Sequence, residues 1–176
     1  VKGRRLEKIG WRAQDTAELI FEDCRVPAEN LIGEEGRGFY ILMAELQQER
    51  LMVALVCMGS ILRILELTRD YLRERRAFGR PLSAFQNTRF RMAEIFTQAE
   101  LCQSFLDRLC VEHMHGVEVN AECAMAKYYL ADQLKSVADQ CLQFFGGYGY
   151  LEEYPIARAW RDARLQSIYA GAAEVM

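Results

Sequence analysis

The 176-residue chain holds three prolines, Pro27, Pro81 and Pro155, and each falls where a long segment ends or begins. Proline inside a helix removes a backbone donor and clashes with the preceding turn, so the proline-free stretches between them can be long helices. The first is expected from about Phe39 to Arg73. The second begins after Pro81, where Ser83 offers a capping hydroxyl. It carries Thr88, Met92, Ile95, Ala99, Cys102, Leu106 and Leu109 at alternating steps of four and three, and stops near His115-Gly116. The third repeats the spacing with Cys123, Ala126, Leu130, Leu134, Val137, Cys141 and Phe144. It ends at Gly146-Gly147, where glycine can take the left-handed conformation that closes a helix. Pro155 suits the first turn of a shorter fourth helix, to about Arg164. Gln166 to Met176 is expected to start another. Steps of three and four place apolar side chains on one stripe, the pattern of a bundle seam. At ~1.5 Å per residue the first three helices would each run roughly 40–50 Å, lengths that suit an antiparallel bundle.

The first 32 residues read differently. Thr16 to Glu22 alternates, with Ala17, Leu19 and Phe21 on one side and Thr16, Glu18 and Glu22 on the other, the mark of a half-buried strand. Arg5 to Ile9 is expected to be a second strand, and two strands need further partners to be stable. The fold class is therefore mainly α: a four-helix bundle over residues 36–176, preceded over 1–35 by the end of a β domain. The abrupt strand-like start without Met suggests a piece of a longer protein. A net charge of −3, from 22 basic and 25 acidic residues, argues against a nucleic-acid-binding surface. The six cysteines form no CxxC pair and read as small core residues in a reducing compartment. No run of 18 apolar residues is present, so no membrane span is expected.

Three places carry candidate chemistry. Glu49 shares a stripe with Leu42, Leu46, Val53 and Val56. It reads either as a core-edge acid paired with an Arg or snorkelling to solvent, or as a carboxylate held against apolar surface, with a raised pKa suited to taking a proton. Arg75-Arg76-Ala77-Phe78-Gly79-Arg80 reads as a basic helix end with a glycine stop, or as a phosphate site beside an aromatic face, with Gln86 facing the same point. Gln143 to Tyr150 has glycines at 146, 147 and 149. That stretch is a helix–helix turn, or a place where backbone approaches a ligand closely. His113 and His115 lie on different helix faces with no cysteine cluster, so no metal site is expected.

Together these residues resemble a family. Asp15-Thr16-Ala17-Glu18-Leu19, Phe21-Glu22-Asp23, Val26-Pro27, Arg75-x-Ala77-Phe78-Gly79, Gln86, Ala126-Lys127, Gln143-x-x-Gly146-Gly147-x-Gly149-Tyr150, Glu153-Tyr154-Pro155, Arg161-Asp162-Ala163-Arg164 and Ile168-Tyr169-x-Gly171 are similar, in order and spacing, to the acyl-CoA dehydrogenases. Gln48-Glu49-Arg50-Leu51 and Ala126-Lys127-Tyr128 point nearest to the long-chain type. The resemblance implies FAD-dependent α,β-dehydrogenation of a fatty acyl-CoA, with helical and β domains upstream. Many members carry a catalytic Glu after the Tyr of Ile-Tyr-x-Gly, where this chain has Ala170. The long-chain and isovaleryl branches place the base on the first bundle helix before an Arg, the position of Glu49. Ala172 stands where a Thr is common.

By the same resemblance, Tyr40, Gln47, Gln48, Arg50, Tyr169, Ala170 and Gly171 would line the acyl site. Arg75, Phe78, Gln86, Gln143, Phe144, Phe145, Gly146 and Gly147 would reach the FAD of a neighbouring subunit. Ala172, Ala173 and Glu174 would approach FAD in the same subunit. A homotetramer, reoxidation by an electron-transfer flavoprotein, and a mitochondrial-matrix or bacterial-cytoplasmic setting are implied as well. An acyl-CoA oxidase and a non-catalytic assembly bundle are the alternatives.

Overall fold

A computed structural model describes residues 2–176; Val1, at the head of the expected β segment, lies outside them. Four helices carry the fold: α1 (Gly38–Glu74), α2 (Gln86–Met114), α3 (Asn120–Phe145) and α4 (Pro155–Ala163). Contacts at the helix ends fix their directions. Gln47, near the start of α1, meets His113 at the end of α2 (2.9 Å) and accepts from the Val119 N–H just before α3 (3.1 Å). At the other end Tyr71 of α1 stacks on Phe145 of α3, ring centroids 4.0 Å apart. Thus α1 and α3 run the same way and α2 runs against both. The α4 helix returns along α3, where the Trp160 indole donates to Asp139. The chain is a mainly α, up-and-down bundle.

The seams expected on α2 and α3 form the core. Ile95, Leu106, Leu109, Cys123, Leu130 and Cys141 are fully enclosed, facing Cys57, Ile61, Ile64 and Leu65 of α1. Burying each large aliphatic side chain contributes roughly 1.5–3 kcal/mol. On α1 the buried stripe is another than the sequence suggested. It runs through Leu51, Ala54, Cys57, Ile61, Ile64, Thr68 and Leu72. Leu42 and Val56 of the expected stripe are exposed, and only Val53 is buried. The helix is apolar on more than one side, so spacing alone does not select the face that meets the bundle. By length and composition α1 could cross a membrane; half of that window is packed inside the bundle.

Other boundaries move. Ser83 does not cap α2: Leu82–Ala84 form a single 3-10 turn, and Phe85 precedes α2 without a side-chain cap. The basic stretch after α1 is a β-hairpin, not only a helix end. β3 (Arg76–Ala77) pairs with β4 (Arg80–Pro81), and Phe78 and Gly79 both take positive φ (51° and 80°), as a two-residue type I′ turn requires. After α4 there is no further α-helix; 3-10 turns at Arg164–Ser167 and Ala173–Val175 flank a bend at Ala170 (φ 52°) and Gly171 (φ 93°). At the N-terminus the strands are β1 (Lys2–Arg5), which ends at the residue where the expected strand was to begin, and β2 (Ala17–Leu19), paired antiparallel. The apolar face expected on β2 is uncovered in this chain, with Leu19 67% and Phe21 77% exposed. Two strands alone have no layer to bury it.

Candidate active site

One face of α1 presents Glu45, Gln48, Glu49, Met52, Val53 and Val56, because steps of three and four bring them in line. Tyr169 and Ala170 stand opposite, and together they line a groove of about 680 Å³. Glu49 is exposed in this groove, so the apolar surface beside it is a groove wall and not the bundle interior. Its apolar neighbours Met52 and Val56 are exposed groove wall, while Val53 lines the groove floor and belongs to the core as well. Tyr40 lies nine residues earlier on α1, exposed, with the Arg37 guanidinium 4.3 Å over its ring, and does not line the groove. Gln47 points to the α2–α3 connection, where its amide meets His113 and Val119. Arg50 is half-buried, its Nε enclosed without a hydrogen-bond partner.

The far wall rests on buried polar groups that sequence reasoning left unassigned. Lys127 of α3 is fully enclosed, and its ammonium donates to the Gly171 carbonyl. Burial pushes the Lys127 pKa down, as does nearby Arg50, while Cys57 and Glu174 pull it up. The Cys57 thiol lies 3.7 Å from Gln166 Oε1, to which it donates, and burial pushes its pKa up to about 12. Tyr169 is held on its other side by Trp11, ring centroids 5.7 Å apart, and the Trp11 N–H donates to Asp162 (2.7 Å). Burial, aided by Cys57, raises the Tyr169 pKa against a hydrogen bond with Gln166. A signal for Lys127 was available: it shares the α3 stripe with Cys123, Leu130 and Leu134, a charge on a core face.

A second cleft opens at the other end of α1. Arg75, Gln143, Phe144, Phe145, Gly146 and Gly147 gather there with Tyr71 and Tyr148, around about 430 Å³. The Arg75 guanidinium lies 5.1 Å over the Tyr148 ring. A Cβ at Gly146 or Gly147 would meet no atom within 4 Å, so the backbone there is open to close approach. Phe145 is only 6% exposed and serves the core as much as the cleft. Phe78 does not line it; at the hairpin tip it is 96% exposed in a strained left-handed conformation. Gln86 is exposed at the first turn of α2 and also stands outside. Ala172 and Ala173 are half-buried and Glu174 exposed, following the bend at the first groove. Glu49 and Arg75 are 26 residues apart along α1, ~39 Å, so the two sites are separate places on one chain. Among the described residues no three His, Cys, Asp or Glu side chains gather as a metal site would require.

Residues 36–176 match the family described as acyl-CoA dehydrogenase, C-terminal domain. The chain belongs to the acyl-CoA dehydrogenases. The long-chain specific acyl-CoA dehydrogenase of Sus scrofa mitochondria is 47% identical over the whole chain, which covers 41% of that relative. The acyl-CoA dehydrogenase structure from Geobacillus kaustophilus is 49% identical with a TM-score of 0.96, over 99% of this chain and 46% of that one. The structure of PigA with FAD and proline is 25% identical with a TM-score of 0.91, over 99% and 45%. The chain thus spans less than half the length of these dehydrogenase relatives. Ala170 stands on the groove wall opposite Glu49.

Proposed function

We propose that this chain is the C-terminal part of an FAD-dependent acyl-CoA dehydrogenase that converts a fatty acyl-CoA to the trans-2-enoyl-CoA, with Glu49 as base. The observation that carries the reading is the groove: Glu49 faces Tyr169 and Ala170, and Ala170 has no group able to accept a proton. Residues 1–35 are the end of a middle β domain, consistent with the uncovered face of β2, and residues 36–176 are the bundle domain.

The α hydrogen of a thioester is too weakly acidic for an unaided carboxylate. Backbone donors aimed at the carbonyl oxygen stabilise the negative charge that develops there. The Ala170 N–H supplies one. Gln48 and Tyr169 line the acyl site beside it. Met52, Val53 and Val56 are apolar, so a bound acyl chain expels water along the wall on which Glu49 sits. A desolvated carboxylate is the stronger base. Glu49 then takes the α proton and becomes the neutral acid.

The residues of the second cleft fit a flavin dinucleotide: Arg75 offers forked donors to a pyrophosphate, Gln143 an amide, and Gly146-Gly147 open backbone. FAD, when bound, would accept the β hydride, so the substrate's loss is one proton to Glu49 and two electrons with one proton to the flavin. As the family resemblance implies, that cleft serves the FAD of a neighbouring subunit, with Phe78 and Gln86 reaching out beside it; its separation from Glu49, ~39 Å along α1, supports this reading. Ala172, Ala173 and Glu174, next to the bend, approach the FAD of their own subunit. The enzyme is then a homo-oligomer, in our reading a tetramer. Its flavin is reoxidised by an electron-transfer flavoprotein in the mitochondrial matrix or the bacterial cytoplasm. Mixing the complete enzyme with a long-chain acyl-CoA under anaerobic conditions tests this: the flavin should bleach and trans-2-enoyl-CoA should form in equal amount. An unbleached flavin would overturn it, and rapid recolouring by oxygen alone would assign the chain to the oxidases.

A further inference from the structure

We propose that Lys127 is a positioning residue of this site: its buried ammonium holds the Ala170–Gly171 bend and thereby aims the Ala170 N–H at the substrate carbonyl. The inference rests on the reading of Ala170 given above. Four observations carry it. Lys127 is the one charged side chain that is buried among the described residues, with no exposed surface at all. It sits on α3, a rigid element, and its hydrogen-bond acceptor is the Gly171 carbonyl. Ala170 and Gly171 are both left-handed, with φ of 52° and 93°. The Ala170 N–H itself makes no hydrogen bond to another described residue, although Ala170 lines the groove.

Enclosing a charge is unfavourable unless it is paired, and an apolar side chain of the same length would fill this space without that penalty. The thiol of Cys57 does not serve as a counter-charge, since its burial keeps it neutral. Arg50 nearby has the same sign, and Glu174 is exposed. The neighbour that uses Lys127 is the bend. Glycine has wide conformational freedom, and a non-glycine residue at positive φ relaxes unless its surroundings hold it. A charge-assisted bond to the Gly171 carbonyl fixes the peptide plane that follows the two left-handed residues, and the planes before it follow. The donor is thus preorganised before substrate arrives, which is what makes such a donor effective.

The test uses the complete enzyme with its FAD. Lys127→Met keeps length and packing and removes the donor. Trans-2-enoyl-CoA labelled with carbon-13 at the thioester carbonyl is bound, and the carbonyl stretch is read by infrared difference spectroscopy. In the unaltered enzyme the stretch should fall to lower frequency than in water. Lys127→Met should keep its flavin and bind the enoyl-CoA within about threefold. It should lose most of the carbonyl shift and reduce its flavin roughly 10–100-fold more slowly, less than the ~10²–10³ that outright removal of such a donor costs. An unchanged shift and rate would overturn the proposal and leave Lys127 as packing. If Lys127→Met does not fold, Lys127→Gln decides: its neutral donor ends one atom short, so shift and rate must both fall, and full values overturn the idea. Glu49→Gln is the control, losing flavin reduction while keeping the carbonyl shift. If the unaltered enzyme shows no shift, the Ala170 reading fails first and Lys127 with it.

Discussion

Raising the pH past 9 should destabilise this bundle through Cys57. The thiol has no exposed surface, and burial lifts its pKa from the ordinary 9.0 to about 12, against the pull of Lys127. The sign follows from proton counting. Between pH 9 and 12 the native thiol keeps its proton while the unfolded one loses it, so the native state holds more protons and stability falls as pH rises. The contribution is fully present below pH 9 and is lost on the way to 12. One pKa unit corresponds to ~1.36 kcal/mol, so about 1.4 kcal/mol is gone by pH 10 and about 4 kcal/mol by pH 12. Cys141, raised to about 11 by burial, adds a smaller loss of the same sign. The assay is urea unfolding followed by helical dichroism from pH 8 to 10.5, comparing the unaltered chain with Cys57→Ala. The alanine variant has a pH-independent cost from the lost sulfur, and a shallower decline, the two curves closing by about 1.4 kcal/mol between pH 8 and 10. Parallel curves would show that Cys57 titrates normally, and the enclosure argued for the α1–α3 seam would be wrong.

Gly149→Ala should destabilise by roughly 1–3 kcal/mol, since its Cβ would lie 2.7 Å from the Leu142 carbonyl oxygen, a backbone atom that cannot step aside; a lower unfolding midpoint is the readout. In the complete enzyme Arg75→Ala should weaken FAD retention roughly 10–100-fold, the loss of one charge-assisted contact, read as flavin content after gel filtration. Because Arg75 and Glu49 lie at opposite ends of α1, mixed oligomers of Arg75→Ala and Glu49→Gln subunits should regain activity that neither has alone. Failure to complement would place both residues in one subunit's site.

The bundle was legible because α2 and α3 each have one apolar face. Their stripes, from Ile95 to Leu109 and from Cys123 to Cys141, are the observed core. On α1 the same reasoning selected the wrong side, because Leu42, Val53, Val56, Ile61 and Leu65 leave several directions apolar. The face with Glu49 became a groove, and Leu51 to Leu72 became the seam. The hairpin at Phe78-Gly79 was hidden by its size: two-residue strands have no period to detect, and the arginines around them also suit a helix end. The clustering of Arg75 with Gln143 to Gly147 was anticipated through family resemblance, not through spacing, since those residues are far apart in the chain and meet only because α1 and α3 end together. Lys127 was visible as a charge on an apolar stripe, but its acceptor lies 44 residues away, across a contact no local pattern records.

The most direct test of Glu49 as base is a single turnover of the complete enzyme carrying Glu49→Gln. The amide keeps the shape and hydrogen bonding of the acid but accepts no proton, and a general base contributes ~10²–10⁴ in rate. The variant should retain FAD, bind trans-2-enoyl-CoA as the unaltered enzyme does, and show flavin reduction by acyl-CoA slowed by at least ~10²-fold. Adding Ala170→Glu to it, which returns a carboxylate to the opposite wall of the groove, should restore part of the lost rate. Flavin reduction by Glu49→Gln at close to the unaltered rate would contradict the assignment.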